Sequence, residues 1–467
     1  MKNVTDMHNL VYIGSPQFDG IGLLNTEAQK LQQHGSVTIL DGIIPGAYPE
    51  IKNFSHADYY LWTLIRRRQF LSTLKSNGLR YIKIRSLLSR KEPGGYQVVH
   101  ELLEQATTDH CVCNNLEGQQ AADYKQQNWT RHYTFLCRTY DALHALFETQ
   151  DFSQATLFNG RNTLAKLIAT VSHEKSIPVR WLEYFGKRNG RMTYISSPVD
   201  FFDFDAMSDH ILEKYRDCTD VEKNRIAEDC LNDRMKLGDP ILAKWGLELS
   251  WSSPIQKNDE KPIVAFFFSS EDEYPAVKTS IYGFSPPTEQ YHKFNQICEA
   301  IAAAGLHHEY RFLIKLHPRY VVEQKKLELA QRYWDSVIKN ANKIGLKLEV
   351  IPPLASPYNV IKKAAIVFSY GTTSWEATFL GKPAVLMGPN LFATHGCTHI
   401  ASSVSDVIDY LKHFPEPKPR HSCYPYAWAW RELGHHPQSY APRHKSIWGC
   451  RIGGAFFNRF SKLDHAE

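Results

Sequence analysis

Apolar and polar positions follow two rhythms along this chain, and the switches between them define its elements. An apolar run over "LVYI" (10–13) stops at Gly14-Ser15-Pro16. A glycine-bearing loop containing Asp19, an amphipathic helix and a second apolar run from Val37 follow, which predicts a βαβ opening. From Phe54 to Asp151 the period is mostly helical, broken by a strand-like piece at Tyr81–Ile84. A second unit, "ATLFNGRNTLAKLIATVSHEKSIPVRWLEYF" (155–185), reads as strand, Asn-Gly turn, helix and a strand from Val179. Residues 207–250 are polar and helical, and "SSPIQKNDEKP" (252–262) has the polarity and the two prolines of a linker.

Beyond the linker a fresh series begins. "IVAFFFSS" (263–270) has the continuous apolar character of a buried strand, and Gln290–Ala304 that of an amphipathic helix. "YRFLIKLHP" (310–318) ends a strand at His317-Pro318, and a long charged helix follows. "LKLEVI" (346–351), "AAIVFSY" (364–370) and "PAVLMG" (383–388) are three further short β runs with helices between them. Strands alternating with helices predict parallel, doubly wound sheets. The fold class expected is therefore α/β, with two Rossmann-like doubly wound domains facing a cleft. The expected divisions are 1–255, 262–415 and an aromatic, basic tail over 416–467.

Composition narrows the function classes. At 467 residues the chain exceeds one ordinary core. With 43% hydrophobic and 22% charged residues it reads as a soluble globular protein, and a net charge of +5 is too small for a dedicated nucleic-acid binder. No apolar stretch approaches the ~20 residues of a spanning helix, and the first residues do not resemble a signal peptide. Nine cysteines without a paired ladder, Cys111 and Cys113 being the one close pair, suit reduced thiols in the cytoplasm.

In a doubly wound sheet, ligands sit at the carboxyl ends of strands. Four loops of the second half fall there: Ser269-Ser270-Glu271-Asp272-Glu273, His317-Pro318-Arg319, Pro352–Tyr358, and "SYGTTSWE" (369–376). In the last, Ser369 ends a strand, and Gly371 lets the backbone approach a ligand. Thr372, Thr373 and Ser374 offer hydroxyls beside helix N–H groups, an arrangement suited to phosphate. Glu376 lies one turn in, within reach of ribose or base hydroxyls. An ordinary capping box accounts for the same residues equally well when they are taken alone. Acidic Ser269–Glu273 also fits a solvated loop. Asn159-Gly160-Arg161 fits either a plain turn or a substrate contact. Asp203-Phe204-Asp205 fits the letters of an Asp-x-Asp pair but reads as a helix cap; no such pair is placed after a strand, and no His/Cys cluster is spaced for a metal. In the tail, 443–463 carries five cations, no acid and apolar residues at helical spacing. It fits a membrane surface or a helix packed back on the first domain.

Taken together, "SSEDE", "IKLHPR" and "SPYNVIKKAAIVFSYGTTSWEATFLGKPAVLMG", with "FNGR" and "WLEYFGKRNGRMTYISSPVDFF" before them, resemble bacterial capsule and O-antigen glycosyltransferases of the GT-B fold. The likeness spans roughly residues 154–392. It implies a transferase acting on a nucleotide-activated sugar, a CMP-linked acidic sugar such as Kdo preferred, with a glycan or lipid-linked glycan as acceptor. It implies Ser269, Ser270, Glu271, Lys315, His317, Pro318, Arg319, Ser369, Gly371, Thr372, Thr373, Ser374 and Glu376 on the donor side. Asn159, Gly160, Arg161 and Arg188 would contact acceptor or donor. Glu183 leads the candidates for the catalytic carboxylate, followed by Asp200 and Asp19. The family's Glu-Arg-Gly run is Glu183-Tyr184-Phe185-Gly186 here, leaving Arg180 or Lys187 to replace its arginine. No cofactor and no metal are expected, the nucleotide-sugar being a co-substrate. The place is the cytoplasm, with peripheral contact to the inner face of the membrane through the tail. Polyol-phosphate transfer of teichoic-acid type, and a non-catalytic sugar-nucleotide-binding subunit, are the alternatives.

Overall fold

The computed structural model describes residues 7–13, 18–42, 79–89, 92–113, 118–158, 160, 163–188, 191–237, 261–269, 290–317 and 324–434. The 443–463 segment and nearly all of the linker lie outside them.

The first sheet contains β1 (Met7–Ile13), β2 (Gly35–Asp41), β3 (Arg80–Lys83), β4 (Gln154–Phe158), β5 (Val179–Arg188) and β6 (Arg191–Ser197) in the order β3-β2-β1-β4-β5-β6. Continuous apolar runs make its central strands because both faces are covered. Leu10 and Tyr12 of β1 pack with Leu143, Leu164 and Ile168 on one face. Val11 and Ile13 pack with Leu23, Leu24 and Ala28 of α1 (Phe18–Gln32) on the other. The opposite layer holds α2 (Ile84–Leu87), α3 (Gln97–Cys113), α4 (Gly118–Thr149) and α5 (Thr163–Glu174).

The second sheet contains β7 (Ile263–Phe267), β8 (Arg311–Lys315), β9 (Leu348–Ile351), β10 (Ile366–Ser369), β11 (Ala384–Leu386) and β12 (His399–Ile400), ordered β12-β11-β10-β7-β8-β9 and parallel throughout. Val264 and Phe266 face Phe294, Ile297 and Trp334 of α8 (Gln290–Ala303) and α9 (Gln324–Lys343). Ala265 and Phe267 face Val360 and Ile361 of α10 (Pro357–Lys363) and Ala377 of α11 (Thr373–Phe379). Both sheets thus repeat one scheme. The chain winds outward in one direction, returns to the centre, and winds the other way. That reversal lies between β1 and β4 in the first sheet and between β7 and β10 in the second. The expected α/β class with two Rossmann-like doubly wound domains is the fold observed.

A third apolar cluster joins the halves. Ile195 of β6 and Met207 and Ile211 of α6 (Phe204–Arg216) pack with Leu231 of α7 (Asp220–Leu237), and with Trp375, Phe379, Phe392, Tyr426 and Trp428 of the second half. After α12 (Val404–Lys412), α13 (Tyr424–Glu432) returns to lie on α7, α6 and β5. Asp203 accepts a hydrogen bond from the Ala206 N–H at 3.1 Å, making it the cap of α6 that its sequence suggested.

Two local expectations change. The first sheet is not wholly parallel, because β6 runs antiparallel to β5. The register Arg188↔Arg191 leaves Asn189 and Gly190 as the connection, and an Asn-Gly pair between strand-like runs is the strongest short hairpin signal. Asp19 sits in the first turn of α1, with Gly20 and Gly22 also inside the helix, rather than in a loop.

Candidate functional site

At the second sheet's reversal, the chain leaves β7 through Phe268 and Ser269 and leaves β10 through Tyr370 and Gly371. Open α/β sheets bind ligands in the crevice at such a point, because the two loops diverge to opposite faces. Both strand exits are fixed from within. Gln290, 1% exposed at the start of α8, accepts from the Ser269 N–H at 3.3 Å and donates to the Ser269 carbonyl at 3.0 Å. No sequence motif marked Gln290. Its signal is a polar residue opening an amphipathic helix, which is too common to single it out.

The structure gives the five hydroxyl and carboxyl groups of the 369–376 stretch different tasks. Ser369, fully buried, accepts from the Gly371 N–H at 3.0 Å, and its hydroxyl contacts the Gly371 carbonyl at 3.2 Å. Ser374, also buried, donates to the same carbonyl at 3.0 Å. These two serines hold the turn closed. Thr372 and Thr373 are half-buried, and neither hydroxyl has a partner among the described residues. The capping box is absent: Thr372 makes no side-chain cap, and Glu376 points elsewhere. Glu376 is buried, and its Oε1 lies 2.8 Å from Arg234 Nε and Nη2 and 3.4 Å from the Tyr358 hydroxyl. The Arg234 guanidinium is itself flanked by the Trp375 and Trp430 rings, 5.5 and 4.9 Å from their centroids. α11 is therefore anchored to α7 through a buried ion pair.

Gly371 needs no unusual backbone angle, since it is not among the positive-φ glycines. What it has is space: a Cβ there would meet nothing nearer than Ser269 Oγ at 3.9 Å. One strand beyond β7, Lys315 ends β8 in a buried position, with its Nζ donating to the Pro353 carbonyl at 2.8 Å. It thus ties the β8 and β9 exits together. His317 follows it, half-buried. Ser270, Glu271, Pro318 and Arg319 lie outside the described residues.

The first sheet brings together a smaller set. A Cβ on Gly160 would fall 2.1 Å from Asp200 Oδ1, so the turn after β4 and the loop after β6 meet there. Asp200 Oδ1 also accepts from the Phe202 N–H at 3.0 Å. Glu183 lies inside β5. It does not leave a strand for a loop, because β5 continues past it and pairs it with Ile195 of β6. It is the first residue beyond the parallel register with β4, which ends at Phe158↔Leu182, and it is buried. Arg180 cannot serve as its neighbouring arginine. Strand residues an odd number apart face opposite ways, and Arg180 instead bonds Glu27 of α1. Asn159 and Arg161, and the side chains of Asp19, Lys187 and Arg188, are outside the described residues.

Compared with known proteins, the chain matches no protein-family model and no curated sequence. Among solved structures it is similar to UDP-GlcNAc 2-epimerase from Neisseria meningitidis bound to UDP-GlcNAc. That match has 13% identity and a TM-score of 0.28, covering 91% of this chain and 98% of that one. MurG from Acinetobacter baumannii gives 11% and 0.28, covering 95% and 98%. The trehalose 6-phosphate synthase from Burkholderia multivorans gives 11% and 0.32, covering 92% and 96%. Likenesses this slight carry no argument about activity. Two Rossmann-like domains follow from the strand orders and registers themselves. Among the described residues, no helix is long and apolar enough to cross a membrane.

Proposed function

We propose that the chain is a glycosyltransferase moving a sugar from a nucleotide-activated donor to a growing capsule or lipopolysaccharide glycan. The observation that carries the reading is the division of labour at the second sheet's reversal. Ser369 and Ser374 lock the turn, while Thr372 and Thr373 keep their hydroxyls open beside an unfilled glycine position. His317 stands two strands away, about 10 Å by ordinary strand spacing, a span that a sugar-bearing phosphate can bridge. In this reading the hydroxyls and His317 receive the donor phosphate, and they stabilise its charge as the glycosyl bond breaks without a bound metal. The preference for a CMP-linked acidic sugar such as Kdo rests on the His317-Pro318 resemblance and on the cations Lys315 and Arg319 beside it.

Glu183 is assigned the acceptor proton. As the acceptor oxygen bonds to the anomeric carbon, the bond to the nucleotide phosphate breaks and the carboxylate takes the hydroxyl proton. Release of free nucleotide from CMP-, UDP- and GDP-sugars, with EDTA present, tests the whole reading. Glu183→Gln should keep donor binding and melting temperature and lose turnover by ~100-fold. A variant within a few-fold of wild type moves the role to Asp200, tested as Asp200→Asn. Donor binding without turnover points to a binding subunit, turnover of CDP-glycerol to polyol-phosphate transfer, and neither binding nor turnover overturns the proposal.

A further inference from the structure

A cavity at the first sheet's rim lies away from the carboxyl ends of the strands. Its floor includes Gln154 and Val179, the first residues of β4 and β5, so it opens at their amino ends. α1 forms one wall and the β5–β6 edge the other. Its volume is ≈ 680 Å³, within the ~300–1,000 Å³ typical of small-molecule sites.

The charges around it do not cancel. Glu27 is 5% exposed and is shared by two cations. Arg180 Nη1 lies 3.2 Å from its Oε1, and Lys30 Nζ 3.9 Å from its Oε2. Lys30 also donates to the Tyr194 hydroxyl at 3.0 Å. One carboxylate against two cations leaves a formal surplus of one positive charge at the wall. Both cations stay accessible, with side-chain exposures of 39% for Lys30 and 42% for Arg180. Among the described residues, Nε and Nη2 of Arg180 have no partner, so one edge of its fork remains open. An arginine with a free edge accepts a carboxylate or phosphate through paired hydrogen bonds. Ser196 and His34 add a hydroxyl and an imidazole to the same lining.

We infer that this cavity binds a small anionic sugar, one carrying a single carboxylate or phosphate, with the acid on Arg180 and Lys30 and the hydroxyls toward Ser196 and His34. The site is separate from the donor site proposed above and stands whether or not that reading holds. A plain structural role for the cluster would need only one cation on Glu27. The second cation and the concave wall are what the ligand explains.

Isothermal titration of the full chain with glucuronate, glucose 6-phosphate and neutral glucose tests the inference. At least one of the two acids should bind, more weakly as salt is raised, and glucose should not. Which acid binds identifies the group as carboxylate or phosphate. Arg180→Gln should weaken that binding tenfold or more. Lys30→Gln, at an exposed position, should weaken it less and guards against a folding defect in the first variant. Glu27→Gln removes the competing carboxylate and should tighten binding several-fold. The inference is overturned if neither acid binds at ~10 mM, a generous limit for a fork-and-ammonium site. It is equally overturned if glucose binds as well as the acids, or if both cation variants bind like wild type.

Discussion

The carboxyl edges of the two sheets have the same strand order and each carries a glycine just past its fourth strand, yet the two glycines do opposite things. Gly160 makes room for the protein's own side chain, since a Cβ there would strike the Asp200 carboxylate at 2.1 Å. Gly371 faces open space, the nearest atom lying 3.9 Å from where its Cβ would be. One edge is closed by an internal contact and the other is held open by a frame of buried hydroxyls. A glycine after a strand is therefore ambiguous until its neighbours are known. The open edge, not the closed one, is the place to expect a ligand.

The frame of the open edge should break most severely at Arg234. Removing one partner of a buried ion pair strands the other charge and costs ~3–5 kcal/mol, so Arg234→Ala should lower the denaturation midpoint sharply. Arg234→Met combined with Glu376→Gln should recover most of that loss, because no charge is then left buried. A double variant as unstable as Arg234→Ala would show that cation–aromatic packing, not the pair, holds α11.

The joint between the halves should respond to acid. His395 Nε2 lies 3.4 Å from the Ser208 carbonyl of α6, while its Nδ1 is sealed without a partner. Burial lowers its pKa from 6.5 to about 4. Between those values the unfolded chain binds the proton and the folded chain does not. The neutral form's contribution is thus whole above pH 6.5 and is lost as pH falls toward 4, amounting to about 3 kcal/mol. Chemical denaturation across pH 4–7 should show His395→Gln with a flatter acid limb than wild type. Parallel limbs would assign the acid sensitivity to other groups.

The glycine comparison is sharpened by making one change twice. Gly160→Ala should cost ~1–3 kcal/mol, because Asp200 must move from a packed turn. Gly371→Ala should leave the melting temperature within a degree or two and act on donor affinity alone. Equal thermal losses at both positions would erase the distinction between the edges.

Much of this architecture was legible in the chain. Runs such as "IVAFFF" and "AAIVFS" announced doubly covered strands because both faces of β7 and β10 are buried, leaving no alternation to obscure them. The antiparallel β6 was missed although Asn189-Gly190 marked its hairpin, since "RMTYISS" has neither a long apolar run nor a clean alternation. In the candidate site, the sequence located the turn at the second sheet's reversal but could not rank its hydroxyls. Ser369 and Thr372 differ in direction, and that depends on the backbone path through Gly371. The Arg234–Glu376 pair spans 142 positions and joins two elements with no local signal linking them.

The finest test separates the two kinds of hydroxyl in one turn. Thr372→Val and Thr373→Val together keep the side-chain shape and remove only the open hydroxyls. No described residue loses a partner, so the fold should be unaffected. A hydroxyl bonded to a phosphate contributes about 1 kcal/mol, and more where charge is involved, so donor affinity should fall ~10-fold or more for the pair. Ser374→Ala should behave in reverse. It leaves the Gly371 carbonyl with fewer donors inside a buried turn, lowering stability by about 1 kcal/mol and disturbing affinity only through that loosened turn. Binding by titration calorimetry and thermal melts on the same two samples decide the matter. If the threonine pair melts lower but binds normally, its hydroxyls serve the fold, and the open edge of the second sheet loses its claim to the donor phosphate.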